Sequence, residues 1–146
     1  MSTIKALYDR VKAMDTDSII RKSIEAITEQ MADKNAAQMF TGLRSDGTEI
    51  TPTYKDTTIM IKKKKGQPSD RVTLRDTGSF YRGIKVTVEG DIIETDSSDE
   101  KAEKLKEKYG ENIFGLGGEF KTDSINEDLR PVFKNNIEEA TGLTMK

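Results

Sequence analysis

Residues 84 to 95 carry the pattern of a β-hairpin. Ile84, Val86 and Val88 alternate with Lys85, Thr87 and Glu89; Glu89-Gly90-Asp91 makes a turn, and Ile92-Ile93-Glu94-Thr95 returns. A period of two places the aliphatic set on one face of a strand and the polar set on the other. Whatever this chain folds into must cover one face of a small antiparallel sheet and leave the other wet. Val72-Thr73-Leu74 is a third apolar run of strand character, so a meander of about three to four strands is expected.

The cover is expected from the N-terminus. Ile4, Leu7, Tyr8, Val11 and Met14 form one helical stripe. Asp15-Thr16-Asp17-Ser18 offers N-cap candidates for a second helix, in which Ile20, Ile24, Ile27 and Met31 fall at alternating spacings of four and three. The seam spans barely two heptads, which favours packing on the sheet over a free coiled coil. Ala36 to Phe40 extends the helix and Gly42 ends it.

Residues 43–70 are the least regular stretch. Asp46-Gly47 signals a turn, Pro52 breaks a helix, and Ile59-Met60-Ile61 reads as a strand or a helix end. Lys62-Lys63-Lys64-Lys65-Gly66, with Pro68 after it, reads as an exposed loop. Further on, Ser97 and Glu100 have the spacing of a capping box. They open a helix with Ala102, Leu105 and Tyr109 inside and Gly110 at its end. Residues 111–123 read as a glycine-containing loop. The last helix is expected to begin at Pro131, bury Val132, Phe133 and Ile137, and stop near Gly142. The expected class is α+β: N-terminal helices packed on a small antiparallel sheet, with additional C-terminal helices. Residues 1–146 form one domain with flexible loops near 43–70 and 110–123.

Apolar residues make up 34% of the 146, and charged residues another 34%, against about 25% charged in ordinary globular chains. So thin a core suggests that partners supply part of the burial. Residues 1–88 carry 16 basic and 11 acidic side chains (net +5); residues 89–146 carry 8 and 15 (net −7). The split suits a head-to-tail ring in which the basic part of one copy faces the acidic part of the next. Ordinary scatter of solvated charge also accounts for it.

The chain has no histidine and no cysteine, which removes Ser-His-Asp and Cys-His catalysis, the usual zinc sets and any disulfide framework. Asp96, Asp99 and Glu100 could hold a hard cation, but helix-cap electrostatics explains them more simply. Phe114-Gly115-Leu116-Gly117-Gly118 looks faintly like a phosphate loop, yet lacks the preceding strand and a following Lys-Ser/Thr. No catalytic, metal-binding or cofactor-binding residue is assigned, no cofactor is expected, and an enzyme is not. The sequence shows no signal-peptide pattern and no membrane-length apolar run, so a cytosolic product is expected, with no membrane partner.

Lys62–Lys65 are the best nucleic-acid candidates, since each could neutralise a phosphate. They lack interleaved aromatics for base stacking. A solvated loop tip and contact with an acidic neighbouring subunit are the other readings. Phe114, Leu116 and Phe120 lie on the glycine loop as candidate docking anchors.

One stretch, Leu74-Arg75-Asp76-Thr77-Gly78-Ser79-Phe80-Tyr81-Arg82-Gly83-Ile84, runs from the third apolar segment through a tight turn into the hairpin. Upstream lie Gly47-Thr48-Glu49-Ile50-Thr51-Pro52-Thr53-Tyr54 and Thr57. Downstream lie Tyr109-Gly110, the glycines 115 to 118 and Arg130-Pro131-Val132-Phe133. Taken in order over about residues 36–141, these segments resemble the tailed-phage virion-morphogenesis family (tail-completion, head–tail connector and neck proteins). The resemblance implies a structural assembly protein, one subunit of a ring at the head–tail junction or tail end. It would be located in the virion after assembly in the host bacterial cytoplasm. The implied partners are copies of itself, neighbouring neck, portal-side or tail proteins, and genomic DNA in passing. Arg71, Arg75, Arg82 and Lys62–Lys65 would face an acidic neighbour, and the loop 110–121 an adjacent ring. The alternative is a small nucleic-acid-binding protein that uses the Lys62–Lys65 loop.

Overall fold

The computed structural model describes residues 4–144. Three helices lead: α1 (Ile4–Ala13), α2 (Thr16–Glu25) and α3 (Thr28–Phe40). Asp15 caps α2, its carboxylate accepting from the Ser18 amide at 3.2 Å. The chain bends at Ile27, so the expected seam crosses from α2 into α3, and Ile27 is buried there. Gly42, at φ +83°, closes α3 in the left-handed conformation that a side chain would resist. Next come α4 (Asp56–Lys64) and the single turn α5 (Ser79–Arg82).

The hairpin is β1 (Ile84–Glu89) and β2 (Ile92–Ser97), paired antiparallel with Ile84 opposite Ser97 and Glu89 opposite Ile92. β1 packs chiefly against α3 and also touches α2, which gives the expected cover on the Ile84–Val86–Val88 face. The other face carries Lys85, Thr87, Glu89, Ile92, Glu94 and Asp96 and is exposed.

The fold is mixed helix and sheet, but the sheet has two strands rather than three to four among the described residues. Val72, Thr73 and Leu74 are buried as an apolar run should be, yet no strand pairs with them. Two tyrosines stand in for the missing neighbour. The Thr73 amide donates to the Tyr54 hydroxyl at 2.9 Å, and the Tyr81 hydroxyl donates to the Thr73 carbonyl. Leu74 then turns to φ +58°, which ends extended structure before a ladder can form. Burial pushes the Tyr81 phenol well above its ordinary pKa, so it stays a donor.

After β2, Ser97 and Asp99 organise a turn. The Ser97 hydroxyl accepts from the Asp99 amide at 3.2 Å and the Asp99 carboxylate from the Lys101 amide at 2.9 Å. The helix α6 (Ala102–Tyr109) therefore starts later than the Ser97/Glu100 spacing suggests, and no side chain caps it. A 3-10 turn (Glu111–Ile113) follows. From Gly118 the chain is helical to Thr141: α7 (Gly118–Asp123), a wide π-helical turn (Ser124–Leu129) and α8 (Arg130–Thr141). Pro131 falls in the first turn of α8, as expected, but the helical chain runs into it from Gly118 without a break. The proline has no N–H to give and its ring crowds the preceding turn; the wide turn immediately before it relieves that crowding. Gly142 stops α8 at φ +75°.

The core gathers Met39, Ile50, Val72, Leu74, Phe80, Ile84, Ala102, Tyr109, Ile113 and Phe114. It draws on α3, the segments on both sides of α4, α5, β1, α6 and the 3-10 turn with Phe114 after it. Among the described residues no helix is long and apolar enough to cross a membrane.

Candidate functional site

Lys62–Lys65 are not a loop. Residues 62–64 form the last turn of α4 and Lys65 follows it, a placement that complements the negative end of the helix dipole. One of the four lysines faces inward, and a second is paired at the surface. Lys62 is 7% exposed; its ammonium lies 5.0 Å from the centre of the Tyr54 ring and donates to the Arg75 carbonyl at 2.8 Å. Lys65 pairs with Asp76 at 2.8 Å, and the hydrogen bond and charge of that lysine hold the Asp76 carboxyl below the ordinary aspartate range. Gln67 adds a bond to the Asp76 carbonyl at 2.8 Å. Lys62 and Lys65 therefore fasten α4 to the 75–76 turn. Lys63, Lys64 and Arg75 are exposed, and their side chains make no hydrogen bond or ion pair among the described residues.

Arg71 is placed elsewhere. It donates to the Phe40 carbonyl at 2.7 Å, lies over the Phe40 ring and pairs with Asp70. Arg82 is exposed and reaches back to the Thr77 carbonyl at 3.4 Å, beside Gly78 at φ +90°. The structure thus brings Lys62, Lys65, Arg75 and Arg82 around the 74–82 turn, leaves Lys63 and Lys64 exposed on α4, and assigns Arg71 to the end of α3.

The glycine loop is held from α3. Asn35 and Gln38, one turn apart and both 1% exposed, face it. The Asn35 amide donates to the Ile113 carbonyl and accepts from the Gly115 amide, both at 3.1 Å. Gln38 donates to the Gly115 carbonyl and accepts from the Gly117 amide, both at 2.9 Å. Two side chains thereby do for residues 113–117 what a neighbouring strand would do. A Cβ at Gly117 would lie 1.9 Å from the Ser45 carbonyl oxygen, so only glycine lets the two loops approach. Arg44 completes the junction by donating to the carbonyls of Tyr109, Glu49 and Thr51 at 2.7–2.9 Å. Of the three candidate anchors, Phe114 is buried, its ring centre 5.8 Å from that of Phe80. Leu116 and Phe120 are half-buried, and Leu116 helps line an apolar groove with Ile24, Ile27, Met31 and Ile125.

Asn35, Gln38 and Arg44 are absent from the sequence reading. Asn35 and Gln38 are polar residues in a helix and give no local signal that they are buried, because their partners lie 77 to 80 residues away; Arg44 likewise reaches the Tyr109 carbonyl 65 residues on. Asp96 pairs with Lys106 at 3.3 Å and Asp99 serves the Lys101 amide. No group of three or more acidic side chains able to hold a metal ion is found among the described residues.

No protein-family model, no curated protein and no solved structure matches this chain.

Proposed function

We propose that this chain is a structural assembly protein of a tailed bacteriophage, one subunit of a ring at the head–tail junction or tail end, with no catalytic role. The observation that carries the reading is convergence. The segments that resemble the virion-morphogenesis family supply Ile50, Leu74, Phe80, Ile84 and Tyr109, and these meet in one core. A set of motifs that shares a core behaves as one structural unit, as an inherited pattern would. The surface fits the role as well. Lys63, Lys64 and Arg75 form an unpaired basic edge, and the hairpin carries unpaired acids, so one copy offers both halves of a head-to-tail contact.

Quantitative mass spectrometry on purified particles of the source phage tests this. A few to about a dozen copies per particle is the expected result for a closed cyclic ring. Absence from the particle, or hundreds of copies, overturns it.

The alternative, a nucleic-acid-binding protein, has fewer free cations than the sequence suggests, because Lys62 and Lys65 are engaged within the fold. It requires that DNA affinity fall steeply with salt and depend on Lys63 and Lys64. A mobility-shift titration of the wild type and K63E/K64E reads this directly.

A further inference from the structure

We propose that the outward face of α4 docks on the outer face of the β-hairpin tip of a second copy of this chain. The inference rests on the ring reading and names the two surfaces that would meet. On α4, Met60 and Ile61 are 70% and 54% exposed, large values for apolar residues in a helix. Lys63 and Lys64 follow at spacings of three and four, so the four side chains share one side of the helix. Inward-facing Lys62, together with Lys65, fixes that side outward by tying the helix to Arg75 and Asp76.

The hairpin offers the complement. Ile92 is 63% exposed on the uncovered face of the sheet. Glu89 is its cross-strand partner, and Glu94 is two residues along on the same face. Both acids are exposed and make no hydrogen bond or ion pair among the described residues. An apolar pair flanked by two lysines thus matches an apolar residue flanked by two glutamates. The patches hang from different anchors on one molecule, the hairpin tip being held by Arg21 of α2, which donates to the Gly90 carbonyl at 3.0 Å. α4 is anchored at residues 75–76, which precede the base of the hairpin, whereas Glu89 is about 17 Å along β1 from Ile84. One copy therefore presents each patch to a different neighbour, the arrangement of a heterologous contact that closes into a ring. The covered area is small, so each contact is weak and the ring gains from closure.

Sedimentation velocity of the pure full-length protein at low salt tests the pairing. The wild type should self-associate reversibly, less so as salt rises. K63E/K64E and E89K/E94K should each weaken association by about tenfold or more, and the quadruple charge swap should restore it to within about threefold. Circular dichroism confirms that each variant is folded. Association unchanged in both double variants, or unrestored in a folded quadruple variant, overturns the docking and leaves the ring reading intact. A wild type that stays monomeric at high concentration also overturns it, and particle copy number then judges the ring reading separately.

Discussion

At the scale of single residues, this protein is held by side chains that take the place of backbone partners. Asn35 and Gln38 satisfy the glycine loop, Tyr54 and Tyr81 satisfy Thr73, and Lys62 satisfies Arg75. Removing such a group leaves a buried amide or carbonyl without a partner, which costs more than the bond contributed net. Asn35→Ala should lower the unfolding free energy by about 2–3 kcal/mol. Tyr81→Phe, which keeps the ring and removes only the donor, should cost about 1–2 kcal/mol. Urea denaturation read by far-UV circular dichroism checks both, and an effect below about 0.5 kcal/mol would place these bonds among the unimportant ones.

Among the elements, the long C-terminal helix is joined to the rest at its wide turn and along α8. Lys34 of α3 donates to Asp128 at 2.8 Å and lies 3.7 Å from Glu127. Asn136 donates to the buried Ser23 hydroxyl at 2.9 Å. The hydrogen bond to Asp128 is the main reason the Lys34 pKa is raised above its ordinary 10.5. A group whose folded pKa is raised contributes its stability below the unfolded value and loses it as pH rises through the folded one. The junction between α3 and the wide turn should therefore weaken above about pH 10.5. Asp128→Asn should remove that alkaline loss and cost about 1–2 kcal/mol near neutrality. Urea midpoints for wild type and variant on both sides of that pH measure the difference.

For the whole molecule, the lack of histidine sets the pH profile. No side chain has an ordinary pKa between about 5 and 8, so stability should be flat across that window. Acid is different. Asp76 is held low by Lys65, Asp46 by the Thr48 hydroxyl and amide, and Asp99 by the Lys101 amide. Depressed carboxylates contribute fully above their unfolded value of 3.8 and lose that contribution as pH falls through the lower folded values. Thermal midpoints should hold a plateau from about pH 5 to 8 and fall below about pH 4. A step inside the plateau would contradict this account.

The sequence by itself determined the features written in local conformation. These were a cap within Asp15 to Ser18, the stops at Gly42, Gly110 and Gly142, the hairpin with its wet face, and the absence of histidine and cysteine chemistry. A glycine that must turn left-handed and an alternation of period two leave their marks within a few residues. Only the tertiary structure decided that Val72–Leu74 is buried without a strand beside it. The same holds for Lys62, which lies beneath Tyr54 and not in solvent, and for the helical stretch before Pro131, which runs back without a break to Gly118. The glycine loop was likewise settled in the fold, where Asn35 and Gln38 grip it. Apolar pattern reports burial, but it does not name the partner of a buried amide. Here those partners are side chains up to 80 residues away, and nothing in the local sequence of either partner encodes the meeting.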